Sequence, residues 1–240
     1  MKLFNLDSPF MQALNKMADL MWLNVLTLIC CIPIVTVGAS LTAMHYMALK
    51  IARNEECYIT KDYFKSFKLN FKQATIIWLL MFFFILVLVG DYFILKNSQM
   101  QFGNVISIML TVVVVVLLFT STFVFPVLAK FDNTVLRTIK NSFFIGILQF
   151  PKTILMMILS LVPAVLFIFA PRIIPIVVLF CFSAPAWVSA KLYNKFFQKL
   201  EDQITAENAP EGEEDGAGEE DERIFRDELD ETLVDEADKQ

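Results

Sequence analysis

The chain has 240 residues, of which 57% are hydrophobic and 24 are phenylalanine, whereas only seven are glycine. A soluble globular domain of this length rarely has so apolar a composition, so an ordinary water-soluble enzyme or binding module is excluded. The net charge of −5 hides a division: residues 1 to 200 contain 17 Lys and Arg against 7 Asp and Glu, whereas residues 201 to 240 contain 3 against 18. The body of the chain is therefore basic, and its C-terminal end is strongly acidic.

The N-terminal part combines an amphipathic start with a broken apolar run. Residues 1–19 form the amphipathic segment, and the apolar run over about 20–44 is interrupted at 33–40, where Pro33 and Gly38 disfavour a continuous helix. If residues 20–49 cross the membrane once as a kinked helix, there are five spans and the N-terminus lies outside. If the chain turns around at the break, residues 41–53 return as a short sixth helix and the N-terminus lies inside.

Four further apolar runs have the length of a transmembrane helix, which needs about 20 residues. They cover 74–95, 104–129, 153–170 and 173–190, and Pro163, Pro175 and Pro185 are expected to kink the last two. In lipid every backbone group must be paired internally, and a helix of this length does so. The sequence therefore predicts an all-α, polytopic transmembrane helical bundle over residues 20–200, with five or six spans.

The distribution of Lys and Arg between the runs predicts the orientation. Six lie in 45–73, one in 96–103, four in 130–152, one in the turn at Arg172 and three in 191–199. Basic residues are enriched in cytoplasmic loops. This alternation predicts a multi-pass protein of the cell (plasma) membrane whose long loops and C-terminus are cytoplasmic.

The most basic segment directly precedes the run at 74–95. It carries a lysine stripe made of Lys61, Lys65, Lys68 and Lys72 beside an aromatic face made of Phe64, Phe67 and Phe71. A helix of this kind suits the surface of the lipid bilayer, with rings toward acyl chains and ammonium groups near anionic lipid headgroups. The alternative is a helix that packs on a partner protein. We assign these seven residues to a membrane interface or partner site.

Residues 201–240 predict a disordered acidic tail, because they cannot bury enough apolar surface to fold alone. Within the tail, Phe225, Leu229 and Leu233 recur at intervals of four residues. That spacing suits a short amphipathic helix that binds a partner, whereas a merely solubilising tail is the alternative.

Residues that carry chemistry are scarce. The chain has one histidine, His45, which we expect to cap or pack near the interface, and no phosphate-binding, dinucleotide-binding or GxSxG motif. The four cysteines have neither disulfide-framework nor zinc spacing. Ionisable residues such as Asp91 and Arg172 lie near span ends, which argues against a proton relay at mid-depth. We expect no enzymatic activity, no cofactor, no metal site and no nucleic-acid partner.

The chain resembles the YesL family of bacterial membrane proteins, which occurs mainly in Firmicutes and has no assigned reaction. The resemblance covers roughly residues 8–200. The residues that carry it are Asn24, the PIVTVGAS break at Pro33–Ser40, Leu49-Lys50, Arg53 and FKSFKLNFKQAT at Phe64–Thr75. It implies a plasma-membrane location and, because some members are associated with carbohydrate-uptake genes, a link to carbohydrate uptake.

The sequence favours a non-catalytic accessory or regulatory membrane subunit. Its partner would be another membrane protein, such as a sugar transporter. The alternative is a small membrane transporter or permease component for a neutral solute.

Overall fold

The computed structural model describes residues 9–97 and 104–208, and every regular element in those ranges is helical. The all-α fold is confirmed. The helices are α1 (Pro9–Cys30), α2 (Val37–Arg53), α3 (Ile59–Asn97), α4 (Asn104–Lys130), α5 (Val135–Leu148), α6 (Phe150–Phe169), α7 (Ile174–Phe180) and α8 (Ser183–Asn208), with short 3-10 turns at Ile34–Thr36 and Pro171–Ile173.

Several of these helices are long and apolar enough to cross a membrane. Five qualify singly, over Phe10–Cys30, Ile34–Arg53, Ile59–Ile94, Ser107–Lys130 and Phe150–Phe169. A sixth is obtained if α7 and α8, which meet at an angle of 46°, are counted as one bent span. The chain is thus a polytopic helical membrane protein.

The chain turns around between α1 and α2. The break lies at Cys31–Thr36, around Pro33, whereas Gly38 is inside α2. Lys16 near the start of α1 donates a hydrogen bond to the Asn54 side chain just after α2, and Ser40 donates to the Thr27 carbonyl at 3.1 Å. The two helices are therefore antiparallel, and of the two alternatives left by the sequence the structure has the turn-around. The start of α1 lies on the same side of the bundle as the loop that leads to α3.

Helix α2 is the centre of the bundle. Most of its residues from Gly38 to Ile51 are buried, and it packs against α1, α3, α4 and α8. The largest fully buried side chains of the core come from these neighbours and from α2 itself, namely Leu23, Met47, Tyr63, Phe123, Tyr193 and Phe197. A smaller apolar cluster joins α2 to α3 and α4 through Ala39, Ala74, Ile77 and Phe125.

Gly38 permits the closest approach of α2 to α3. A Cβ atom at this position would lie 2.3 Å from the Ala74 carbonyl oxygen and 2.6 Å from Trp78 Cβ. Backbones approach this closely only where a side chain is missing, as in the small-residue contacts of membrane helices. The glycine that the sequence suggested as a helix breaker is therefore a packing residue.

The α1–α2 hairpin lies beside the first half of α3. Lys50 pairs with Asp62 at 3.4 Å near the start of α3, and the Trp78 indole donates to the Ile34 carbonyl at the hairpin tip at 2.8 Å. Helix α3 has 39 residues and is about 58 Å long, almost twice the thickness of the hydrocarbon core of a bilayer. The hairpin tip thus lies level with Trp78. From there the apolar part of α3 continues to Ile94, which is about 24 Å farther along the helix axis.

The lysine stripe indicates how deeply the α1–α2 hairpin enters the membrane. All four lysines are exposed on the part of α3 that flanks α2, and ammonium groups facing lipid at mid-depth are costly. We therefore expect the first half of α3 to lie at the membrane surface and only its second half to cross. On this expectation the α1–α2 hairpin enters the membrane without crossing it, although each of its two helices is long and apolar enough to cross.

Replacing Gly38 by alanine tests the α2–α3 contact. Because the new Cβ meets backbone, α2 must move away from α3, and we expect a loss of about 1 to 3 kcal/mol, as in overpacked cores. Gly90→Ala is the matched control, since nothing lies within 4 Å of a Cβ there and alanine is favoured over glycine in a helix by about 0.5 to 1 kcal/mol. The measurement is thermal unfolding of both purified variants in detergent. Equal unfolding temperatures would contradict the contact.

Candidate functional site: a basic face and a cavity

The four residues of the lysine stripe form one exposed row along α3. Lys61, Lys65, Lys68 and Lys72 all lie on the outer side of α3, while Tyr63, Ser66 and Asn70 on the opposite side are buried. Contacts of the buried side fix the rotation of α3 about its axis, because the Tyr63 hydroxyl bonds to Ser40 of α2 at 2.7 Å. The stripe is thus a fixed cationic surface on a rigid helix.

The aromatic face next to the stripe is divided between the outside and the core. Phe64 is 39% exposed, but Phe67 and Phe71 are half-buried and pack against the core clusters. The ring of Phe67 also stacks on Tyr63, with centroids 6.4 Å apart. Two of the three rings assigned to the membrane surface therefore help to attach α3 to the bundle. The other predicted anchors, Phe225, Leu229 and Leu233, lie outside the described residues.

Buried ion pairs join the ends of three helices. The Arg53 guanidinium binds both carboxylate oxygens of Glu201, at 2.7 and 3.0 Å, and its Nε donates to Asn194 at 2.6 Å. Lys130 at the end of α4 lies 3.6 Å from the same carboxylate. These side chains are only 8 to 13% exposed, so breaking the bidentate pair leaves a buried charge uncompensated.

This ion cluster includes a residue that we had placed in the tail. Helix α8 continues to Asn208, beyond the predicted boundary at residue 201, because Leu200 and Ile204 are buried in the core beside Glu201. In the sequence, Arg53 was visible as part of the family resemblance. Glu201 was missed because a carboxylate at the start of an acidic segment gives no local sign of a buried partner.

Asn24 produces the bend between α7 and α8. Its Nδ2 donates to the Val178 carbonyl at 2.8 Å, and its Oδ1 accepts from the backbone N–H of Phe182 at 2.9 Å and of Ser183 at 3.1 Å. In a continuous helix the Val178 carbonyl and the Phe182 N–H would bond to each other. The buried carboxamide replaces that bond, and an inserted side chain is a known cause of helix bending.

The two prolines of the run at 173–190, which we expected to kink it, do not lie at this bend. Pro175 is in the first turn of α7 and Pro185 in the first turn of α8, where proline is tolerated because the first amides of a helix have no partner within it. The bend therefore comes from a residue about 155 positions away in the sequence, which no local pattern reveals.

A cavity of about 510 Å³ lies beside the bend, between α2, α4, α6, α7 and α8. Most of its lining is apolar, with methionine and phenylalanine prominent, and its polar groups are His45, Ser121, Thr122, Ser160, Cys181 and Ser189. The Nδ1 atom of His45 is buried and has no hydrogen-bond partner within the described part of the chain. The single histidine thus lines a cavity, where we had expected it to cap or pack near the interface.

The described residues contain no group of three or more His, Cys, Asp or Glu side chains placed to hold a metal ion. Cys57, in the loop between α2 and α3, is half-buried. Burial raises the pKa of its thiol, the carboxylates of Asp19 and Asp62 raise that pKa further, and Lys50 lowers it.

Comparison with known proteins gives one match. Residues 20–92 match a family described as "Protein of unknown function, DUF624", which corresponds to the second half of α1, all of α2 and most of α3. No curated protein and no solved structure matches this chain. The matched segment is the unit in which the α1–α2 hairpin is attached to α3.

Proposed function

We propose that this chain is a non-catalytic accessory or regulatory membrane subunit that acts through the lysine stripe. The observation that supports this role is the rigid presentation of the stripe. Tyr63 and Asp62 on the inner side of α3 are bonded to α2, so the four lysines are held in one row. A row of charges on an ordered helix suits an acidic segment of a partner protein, because the backbone that carries the charges need not be ordered on binding.

The contrast between the lysine stripe and the ion cluster of Arg53, Lys130 and Glu201 supports this proposal. Arg53 and Lys130 both pair with Glu201, and all three side chains are largely buried, so they hold α2, α4 and α8 together. The lysine stripe instead faces outward, where anionic lipid headgroups contribute on the order of 1 kcal/mol per lysine. The resemblance to the YesL family adds the expectation that the partner is a membrane protein of carbohydrate uptake, such as a sugar transporter.

The orientation that suits this role places the stripe and the C-terminus in the cytoplasm of a cell whose plasma membrane holds the protein. It is supported by the alternation of Lys and Arg along the sequence. The antiparallel α1–α2 hairpin fits the same orientation, since it puts the start of α1 and the Cys57 loop on one side.

Labelling of Cys57 tests the orientation. In a variant with Cys30, Cys31 and Cys181 replaced by alanine, a membrane-impermeant maleimide should react only after cells are permeabilised. Because the pKa of Cys57 is raised and only the thiolate reacts, the rate should rise about tenfold per pH unit from pH 7 to 8.5. Rapid labelling in intact cells would overturn the proposed orientation.

A second candidate function is the passage of a neutral solute, as a small transporter or permease component. The cavity beside the α7–α8 bend favours it, because transporters build substrate sites at discontinuous helices. The predominantly apolar lining is less suited to a sugar, whose many hydroxyl groups would lack partners.

Affinity purification from the native membrane distinguishes the two functions. The wild-type chain should retain a membrane protein in stoichiometric amount, and replacement of all four stripe lysines by glutamine should lower that amount at least tenfold. Among single substitutions, Lys68→Gln is the test and Lys195→Gln is its matched control. Both lysines are exposed, but only Lys68 belongs to the stripe. Only Lys68→Gln should weaken retention.

Undiminished retention by the fourfold variant would contradict the role of the stripe. Uptake of a radiolabelled neutral sugar by vesicles that contain this chain alone would favour the transporter instead.

A further inference from the structure

We propose that the cavity between α2, α4, α6, α7 and α8 is a binding site for an uncharged lipid-like alcohol, with an apolar body and a hydroxyl head. The proposal is independent of the lysine stripe, because it depends on a different part of the bundle. It rests on the volume and lining of the cavity, on its unpaired polar atom and on the position of its mouth.

The size and lining fit a mainly apolar ligand. A volume of about 510 Å³ lies within the range of about 300 to 1,000 Å³ that is usual for small-molecule sites. Met44, Met156 and Met157 contribute flexible thioether side chains to the wall, which adapt to irregular apolar ligands. The lining residues, all of which are described, include no Asp, Glu, Lys or Arg, so a charged ligand would remain unneutralised.

The polar groups of the cavity fit a hydroxyl. Ser121 and Thr122 each donate their proton to the Leu118 carbonyl at 2.9 Å, so their oxygen atoms retain lone pairs that accept a hydrogen bond. The unpaired Nδ1 of His45 adds a group that accepts or donates, depending on the tautomer. An alcohol both donates and accepts, so its hydroxyl suits a cavity lined by His45 and by these two hydroxyl oxygens.

The mouth of the cavity faces the lipid phase. Phe167 of α6 is 51% exposed, and Val178 and Phe182 at the end of α7 are 41 and 42% exposed, although all three line the cavity. These exposed apolar side chains are the basis for placing the opening on the lipid-facing side, where a ligand dissolved in the bilayer would reach it without entering water. The hydrogen bonds of Asn24 hold the α7–α8 wall, so this wall is formed before the ligand arrives.

Photolabelling of the full chain in phosphatidylcholine vesicles tests this site. The probes are a long-chain alcohol that carries a diazirine and the fatty acid of the same chain with the diazirine at the same carbon. After illumination, mass spectrometry identifies the labelled peptides. The alcohol should label the cavity-lining parts of α6 and α7 at least fivefold more than the fatty acid does at pH 8.

Two neighbouring substitutions separate the cavity from the lipid-facing surface. Ala164 lines the cavity, whereas Val165 is 49% exposed and lies outside the lining. Ala164→Trp should reduce labelling at least tenfold, and Val165→Trp should leave it unchanged. His45→Phe should reduce alcohol labelling severalfold, and His45→Asn, which keeps a hydrogen-bonding group, should restore part of it.

Equal labelling by the two probes would overturn the assigned ligand class. Equal labelling of Ala164→Trp and Val165→Trp would show that the probe reports only surrounding lipid. If the Ala164→Trp variant fails to fold, a competition experiment on the wild-type chain takes its place, with an excess of the same alcohol without the diazirine. Excess alcohol should suppress labelling of the cavity peptides but not of exposed α3 near Phe83, and equal suppression at both places would also overturn the site.

Discussion

The close contact between α2 and α3 is the constraint on which the rest of this structure depends. Because Gly38 lacks a side chain, α2 lies directly against the backbone at Ala74, and the remaining helices pack around it. This contact determines which part of α3 flanks the α1–α2 hairpin and therefore which part is left for the membrane. The lysine stripe owes its fixed position to the same contact, since its helix is attached to α2 through Tyr63 and Asp62.

The charged residues of the bundle serve two separate purposes. Arg53 and Lys130, at the ends of α2 and α4, are largely buried together with Glu201 of α8, and such a cluster is stable only while every member keeps its partner. It attaches α8 to the centre of the bundle. The exposed lysines make no comparable contribution to folding, because exposed ion pairs contribute little. Under the function proposed above, their role is to bind a partner.

The sequence was sufficient for the features that depend on local pattern. Runs of apolar residues predicted the long helices, and the spacing of Lys61 to Lys72 predicted a single exposed row. The spacing of Phe64, Phe67 and Phe71 was ambiguous, because a ring that faces lipid and a ring that faces a protein core follow the same helical period. The structure shows that Phe67 and Phe71 belong to the second kind.

The features that sequence reasoning missed depend on residues far apart in the chain. Asn24 replaces a backbone hydrogen bond more than 150 residues away, and Glu201 pairs with Arg53 across 148 positions. Gly38 shows the same limit, since a glycine that breaks a helix and one that permits helix contact look alike in a sequence. The cavity is assembled from five helices, and no one of them carries a recognisable motif for it.

The depth of the hairpin tip in the bilayer shows whether the α2–α3 contact holds the hairpin at the position in the membrane that we expect. A nitroxide at position 32 would be compared with nitroxides at positions 61 and 83, using collisions with oxygen, which concentrates in lipid, and with a water-soluble nickel chelate. We expect the label at 32 to be shielded from the chelate and to lie at a depth between the other two. Strong access of the chelate to position 32 would place the tip in water, and the hairpin would then either cross the membrane or lie outside it.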